Sequence, residues 1–527
     1  MTALVRDFLM RAAKAMPKKI AFYEGDRSIN WGTLNQRANC FAKALQNEGI
    51  VRGDVVAILS HEHIEVYESF HACLKLGAPR VGVNWRFSPK EMLYVLQDSA
   101  AKVVMVQANC VELMGDLPAQ LIEAGIVMIG YGGDHGLPYD YETMLASSDA
   151  DVELPEIQNS DLAAISYTSG TTGSPKGVML SQVALREAML NTVLNIGLMP
   201  SDVWYAPTSS AWITFVLITM NTVNGMTVVL PEGDFDAQQY FEHINKHKVT
   251  VTIMVPLMMR RLIQLMEKDN IKLPSVRLIT FGSSPSTPQL IRKAAEVFKC
   301  DLAQMYGVTE TTGGWISIMP PADTKRGLAG EEHLLRSCGR AALHFDIEIR
   351  DADNKVCPAN TSGEVWVRSD TLMTGYLGLQ EQTGQALQGG WLCTNDMGYI
   401  DDEGFLYLTD RKNNLIITGS ANVFPSMVEN VLDEHPHVME VAVVGVPHPE
   451  WDEAVVAVII PHHAGTFDHD EVIAFSKGKM AKFEVPKHIV LVNDLPKGLT
   501  GKILKKNIQA MFKSGDLTVP WDMPEDS

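Results

Sequence analysis

The chain has 527 residues, 46% of them hydrophobic and 20% charged, with a formal net charge of −19. That length exceeds what one hydrophobic core usually serves, so at least two domains are expected. The acidic balance excludes nucleic acid as a general partner, because phosphate backbones demand a basic surface.

Seven cysteines (Cys40, Cys73, Cys110, Cys300, Cys338, Cys357 and Cys393) are scattered without a C-x-x-C pair. Reduced thiols in a cytoplasmic protein fit this better than disulfides or zinc. The first ten residues place Asp7 inside their apolar part. They read as an amphipathic helix and lack the apolar core of a secretion signal. Strands are expected at 55–59, 79–83, 102–107, 125–129 and 162–167, with a helix at 63–76 and another from Ser181 onward. The longest apolar stretch, 212–230, is broken by Asn221, Asn224 and Gly225. A buried helix followed by a strand at 226–230 explains it without a transmembrane segment. Further strands at 249–255, 276–281 and 301–305 alternate with amphipathic stretches at 237–247 and 288–298. This alternation gives an α/β fold with largely parallel sheets, whose ligand sites lie beyond the carboxyl ends of strands.

From about His344 the pattern changes. Short stretches at 344–350, 363–367, 397–401 and 404–408, separated by Gly- and Asp-rich turns, suggest a small antiparallel sheet or barrel. After Arg411 come a turn at 417–425, a helix at 426–434, more strands and a lysine-rich end. Nine lysines between Lys477 and Lys513 face only Glu484 and Asp494. Such a lobe suits an anionic ligand, or is a solvated helix face. The last dozen residues read as a loose tail.

Residues 167–177, Tyr-Thr-Ser-Gly-Thr-Thr-Gly-Ser-Pro-Lys-Gly, stand apart. Thr168, Ser169, Thr171, Thr172 and Ser174 offer hydroxyls. Gly170, Gly173 and Gly177 let backbone amides approach a ligand, and Lys176 adds a mobile charge. The run sits between an expected strand and an expected helix, where a phosphate-gripping turn fits. It is not the usual P-loop, since Pro175 precedes Lys176 and Gly177 follows it. The residues alone leave it open between a nucleotide-phosphate cradle and a solvated loop. A second flexible run, 495–502, has two glycines and a threonine and could hand Lys502 to a distant site.

Four motifs occur in order: the loop at 167–177, Gln-Met-Tyr-Gly-Val-Thr-Glu at 304–310, Gly-Trp-Leu-Cys-Thr-Asn-Asp at 390–396 with Asp410-Arg411, and Gly501-Lys502. Together they resemble the adenylate-forming superfamily of acyl-CoA synthetases, peptide-synthetase adenylation domains and luciferases, over essentially the whole chain. The resemblance implies a large N-terminal domain, residues 1–411, of α/β subdomains with a small β-barrel-like part. A smaller mobile α+β C-terminal domain, 412–527, would act as a lid hinged at 411–414. The implied reaction joins a small-molecule carboxylic acid to ATP as acyl-AMP, then transfers the acyl group to coenzyme A.

The first step brings an anion onto a polyanion, so positive charge and Mg²⁺ must offset repulsion. By similarity Thr168, Ser169, Gly170, Thr171, Thr172, Gly173 and Lys176 hold the β- and γ-phosphates. Thr309 contacts the α-phosphate, and Glu310 helps bind Mg²⁺. Tyr306 stacks on adenine, Ser283 and Ser284 line its edge, and Asp396 with Arg411 takes the ribose hydroxyls. Lys502 bridges the carboxylate and α-phosphate. Trp212 and Gly307 belong to the acyl pocket, and Gly419 and Ser420 to the CoA region. Without the resemblance, Glu310 would read as a surface acid and Tyr306 and Trp212 as core aromatics.

Several positions depart from the pattern. Thr394-Asn395-Asp396 stands for Thr-Gly-Asp, which keeps the acid and therefore nucleotide binding. Lys412-Asn413-Asn414 and Gly419-Ser420-Ala421-Asn422 remove charge where the thiol step is organised. Pro207 to Trp212 replaces a frequent Pro-x-Phe-His, and Ile213, Phe215 and Val216 point to an apolar acid: fatty, aryl or alicyclic. Alternatives are delivery to a separate carrier protein and a non-catalytic nucleotide-binding relative. A homodimer is left open.

Overall fold

Val55–Leu59 is buried at every position, as a strand covered on both faces by helices must be. It lies in a computed structural model that describes residues 3–168, 175–284, 286–411, 414–418, 421–498, 503–521 and 523, with Arg411, Asn422 and Thr466 described by backbone alone. Among these residues the strands form four sheets of nine, eight, five and five strands.

The first sheet has a parallel centre in which Asp301–Tyr306, Leu278–Gly282, Val251–Met254, Val203–Tyr205, Thr227–Val229 and Ile20–Glu24 are neighbours. The second runs from Gly375–Tyr376 through Lys176–Ser181, Leu162–Thr168, Arg80–Val83, Val55–Leu59 and Ala101–Gln107 to Val127–Tyr131 and Tyr139–Asp140. One apolar cluster, with Trp31, Phe41, Phe70, Trp204 and Phe215, is shared by the two.

Local sequence accounts for the helices that flank the sheets. In Pro288–Phe298, Thr287 caps the Leu290 amide and proline occupies the first turn. Leu290, Ile291, Ala294 and Phe298 then fall on one buried stripe. The apolar stretch after Trp212 becomes the short helices Phe215–Thr219 and Asn221–Asn224. Gly225 ends them at φ +74°, and the strand Thr227–Val229 follows. Among the described residues no helix is long and apolar enough to cross a membrane.

The third sheet is antiparallel, ordered Asp346–Arg350, Gly363–Arg368, Trp391–Ile400, Leu387–Gln388, with Leu406–Arg411 also paired to Trp391–Ile400. The expected strand at 397–401 is thus the far half of a ten-residue strand. The expected start at His344 shifts to Asp346, because His344 has φ +73° and turns the chain. A smaller α+β unit follows. Val438–His448 and Asp452–Pro461 form its central hairpin, packed by Pro425–Leu432, His469–Lys477 and Lys505–Ser514.

The run at 167–177 does not join strand to helix. Leu162–Thr168 and Lys176–Ser181 pair antiparallel, with Thr168 opposite Lys176, so the described ends of the run lie on two paired strands. The second strand was hidden because it is short and leads at once into Gln182–Ile196, capped by Ser181. Gly177 eases the packing here: a Cβ would lie 3.1 Å from Ile165 and 3.2 Å from the Tyr167 ring.

Candidate active site

Three sheets deliver the described site residues. Tyr306 ends a strand of the first sheet, Thr168 and Lys176 pair on two strands of the second, and Asp396 lies mid-strand in the third. The Tyr306 hydroxyl donates to Asp396 Oδ2 at 2.5 Å, both side chains being buried. Arg411 lies directly opposite Asp396 in the ladder.

Asp396 owes its place to an irregularity. The pairing of Gly363–Arg368 with Trp391–Ile400 shifts register between Glu364 and Trp366, and Asn395 there has φ +58°. Asparagine is among the few residues that take this conformation readily. Asn395 therefore suits a left-handed position that glycine would also accept. Gly282 keeps the next turn close: a Cβ on it would lie 2.2 Å from Met305 O. Ser283 (φ +67°) and Ser284 are therefore held beside the strand that ends in Tyr306.

After Tyr306 the chain passes Gly307, packed near Gly314 and Trp315, into a single turn at Thr309–Thr311. Glu310 in this turn accepts a hydrogen bond from the Tyr376 hydroxyl at 2.8 Å. Lys176 Nζ lies 5.2 Å from the centre of the same tyrosine ring. Glu310 offers hard oxygen donors, and Mg²⁺ is commonly held by one or two carboxylates together with substrate phosphates. The donor chemistry fits that ion.

The segment around Trp212 is built differently. Residues 207–214 link Val203–Tyr205 to Phe215–Thr219, and Trp212 meets Phe87 edge-on with ring centres 6.1 Å apart. Two buried charged side chains, Glu62 and Arg80, grip the same segment. Ser210 N donates to Glu62 Oε1 at 2.6 Å, and Arg80 donates to Ser210 O at 2.8 Å. Tyr67 also donates to Glu62, and Arg80 lies over the Phe215 ring. Burial pushes the Glu62 carboxyl above its usual range, against the opposing pull of Tyr67, Ser210 and Arg80. Burial likewise lowers Arg80. Gly82 makes room, since a Cβ would lie 2.7 Å from Ala211 Cα. Ile213 packs toward Gly313, just past the Glu310 turn, so the apolar segment and the acid are neighbours.

Ser169, Gly170, Thr171, Thr172, Gly173, Gly419, Ser420 and Lys502 lie outside the described residues. Several lysines of the cationic lobe have partners within the C-terminal unit. Lys479 pairs with Glu434, Lys497 with Glu440 and Lys505 with Glu429. For these, structure rather than an anionic ligand accounts for the charge. Sequence reasoning passed over Glu62, Arg80 and Tyr376. The first two carried a signal, being charges within or beside otherwise apolar runs, while Tyr376 sat in an ordinary Gly-Tyr-Leu-Gly turn.

The fold and these residues define a multi-sheet α/β enzyme architecture with a nucleotide-type site. The model of the AMP-binding enzyme family matches residues 9–377, and that of the AMP-binding enzyme C-terminal domain matches 427–502. The chain belongs to the AMP-binding enzyme family. It is 32% identical over 511 residues to an indoleacetate–CoA ligase of Aromatoleum aromaticum, covering 96% of this chain and 97% of that one. It is 30% identical to a long-chain-fatty-acid–CoA ligase of Mycobacterium tuberculosis, covering 97% and 98%. Among solved structures, o-succinylbenzoate CoA synthetase from Bacillus subtilis, in complex with its acyl-adenylate intermediate, superposes with a TM-score of 0.81. That pair is 28% identical and covers 95% of this chain and 97% of that one.

Proposed function

We propose that the protein is an ATP-dependent acyl-CoA ligase for an apolar carboxylic acid, fatty, aryl or alicyclic. The observation that carries this reading is the convergence of Tyr306–Asp396 and Glu310–Tyr376–Lys176 from three sheets, next to the apolar segment at Trp212. One oxygen of the substrate carboxylate attacks the α-phosphorus of ATP, and the bond to pyrophosphate breaks. The coenzyme A thiolate then attacks the acyl carbon, and AMP leaves with that oxygen.

Each residue has a task in this scheme. Tyr306 offers its ring to adenine, and Asp396 accepts from the ribose hydroxyls with Arg411 opposite. Thr168 and Lys176 flank the phosphate-binding run, and Thr309 contacts the α-phosphate. Glu310 would hold Mg²⁺, which supplies charge compensation on the phosphates when bound. Trp212 and Gly307 bound the acyl pocket. Residues 412–527 form the lid, with the hinge at 411–414. Lys502 brings its ammonium to the carboxylate and α-phosphate, a task suited to a point charge on a long stem. The run at Gly419 and Ser420 serves the thiol step.

Pyrophosphate release from ATP, Mg²⁺ and a panel of acids, followed by thioester after coenzyme A is added, tests the reading. Pyrophosphate without thioester would transfer the assignment to a carrier-protein ligase. Neither product would mark a non-catalytic nucleotide-binding protein. Lys502→Ala should slow adenylate formation by about 10²-fold or more, the scale for losing one charge-stabilising group, and spare thioester formation from supplied acyl-AMP. Equal loss of both halves would remove Lys502 from its role.

A further inference from the structure

Tyr376 touches two groups of the nucleotide site at once. It lies in Gly375–Tyr376, which pairs antiparallel with the strand beginning at Lys176. Backbone bonds fasten the segment on two sides. Leu377 N donates to Gly177 O at 2.8 Å and Thr374 N to Met179 O at 2.9 Å, while Met373 N donates to Glu310 O at 2.8 Å. A further bond, Tyr376 N to Thr383 Oγ1 at 2.9 Å, ties it to the helix Gln380–Ala386. Gly375 permits the approach, because a Cβ there would lie 2.8 Å from the Thr383 methyl.

The side chain then divides its work. Its hydroxyl donates to Glu310 Oε1 at 2.8 Å, and its ring lies 5.2 Å from Lys176 Nζ. Among the described residues Glu310 and Lys176 form no ion pair with each other. A direct salt bridge would have to break before a cation and phosphates could enter. A neutral phenol contacts both groups and leaves each charge in place for a ligand. The hydroxyl restrains the carboxylate rotamer, as partners of metal ligands generally do. The ring face attracts the ammonium through its quadrupole.

Resting on the reading of Glu310 as the metal-side acid and Lys176 as a phosphate-side base, we propose that Tyr376 is the positioning residue of the metal–nucleotide site. It sets Glu310 through its hydroxyl and Lys176 through its ring. The two contacts can be separated. Tyr376→Phe keeps the ring and removes the hydroxyl, whereas Tyr376→Leu removes both.

The test is titration calorimetry of ATP binding to the full chain, once with MgCl₂ and once with EDTA. Tyr376→Phe should weaken Mg²⁺-dependent ATP binding by about tenfold, the low end for loss of a partner behind a metal ligand, and leave metal-free ATP binding unchanged. Tyr376→Leu should weaken both. A merely structural role would lower the two affinities together, in step with the melting temperature, and Tyr376→Phe doing so would overturn the proposal. So would Tyr376→Phe with both affinities intact. Glu310→Gln separates the levels. If it leaves the Mg²⁺ dependence unchanged, the assignment of Glu310 falls; if it abolishes that dependence while Tyr376→Phe leaves Mg²⁺-dependent ATP binding at the unmutated level, only the role of Tyr376 falls.

Discussion

The two proposed sides of the site, nucleotide and acyl, are held by opposite means. On the nucleotide side, polar side chains at strand ends and in one bulge contact one another directly: Tyr306 with Asp396, and Tyr376 with Glu310 and Lys176. On the acyl side, the segment that carries Trp212 is gripped by its backbone. Glu62 and Arg80 hold the Ser210 peptide from within the core, and Gly82 admits Ala211 against the sheet. The first arrangement ties chemistry to particular side chains. The second leaves the outward side chains free to vary while the frame stays fixed. Damage to the acyl frame should therefore appear as lost stability and weaker acid binding, and damage to the nucleotide side as weaker ATP binding on an intact fold.

The largest effect is expected from Arg80→Met. It leaves Glu62 buried without its counter-charge and Ser210 O without its donor, costing about 3 kcal/mol in a denaturant titration. The KM for the acid should rise while ATP affinity in the surviving folded protein holds. Gly82→Ala should come next, at roughly 2 kcal/mol, because backbone at Ala211 must shift to admit a methyl group. A severalfold change in acid KM should accompany it. Asp396→Asn should weaken ATP binding by about 1.5–2 kcal/mol, the scale of a lost hydrogen bond to a charged group, with little change in melting temperature. If its main effect were unfolding instead, the contrast between the two sides would fail. The smallest effect is at Asn395. Valine at φ +58° should cost about 1 kcal/mol and displace Asp396, while glycine should be nearly neutral in both stability and ATP affinity.

Much of the architecture was legible from periodicity. The helix at 288–298 and the strand at 55–59 fall where their apolar spacing put them. The strand at Lys176–Ser181 was not, because six residues that pass straight into a helix give little alternation to read. Nor was the full length of Trp391–Ile400, whose bulge at Asn395 interrupts the two-residue period. The proposed nucleotide side was visible as motifs, since its residues meet one another through their own side chains. The acyl frame was not, because Glu62, Arg80 and Ser210 are separated by up to 148 residues and meet only on folding.

The central claim is that a carboxylate oxygen attacks the α-phosphorus of ATP in this site. It is tested most directly by supplying an accepted acid with both carboxylate oxygens labelled as ¹⁸O, together with ATP, Mg²⁺ and coenzyme A. Mass spectrometry of the products should find one labelled oxygen in AMP and the other in the thioester. Unlabelled AMP, or label in inorganic phosphate, would contradict the account.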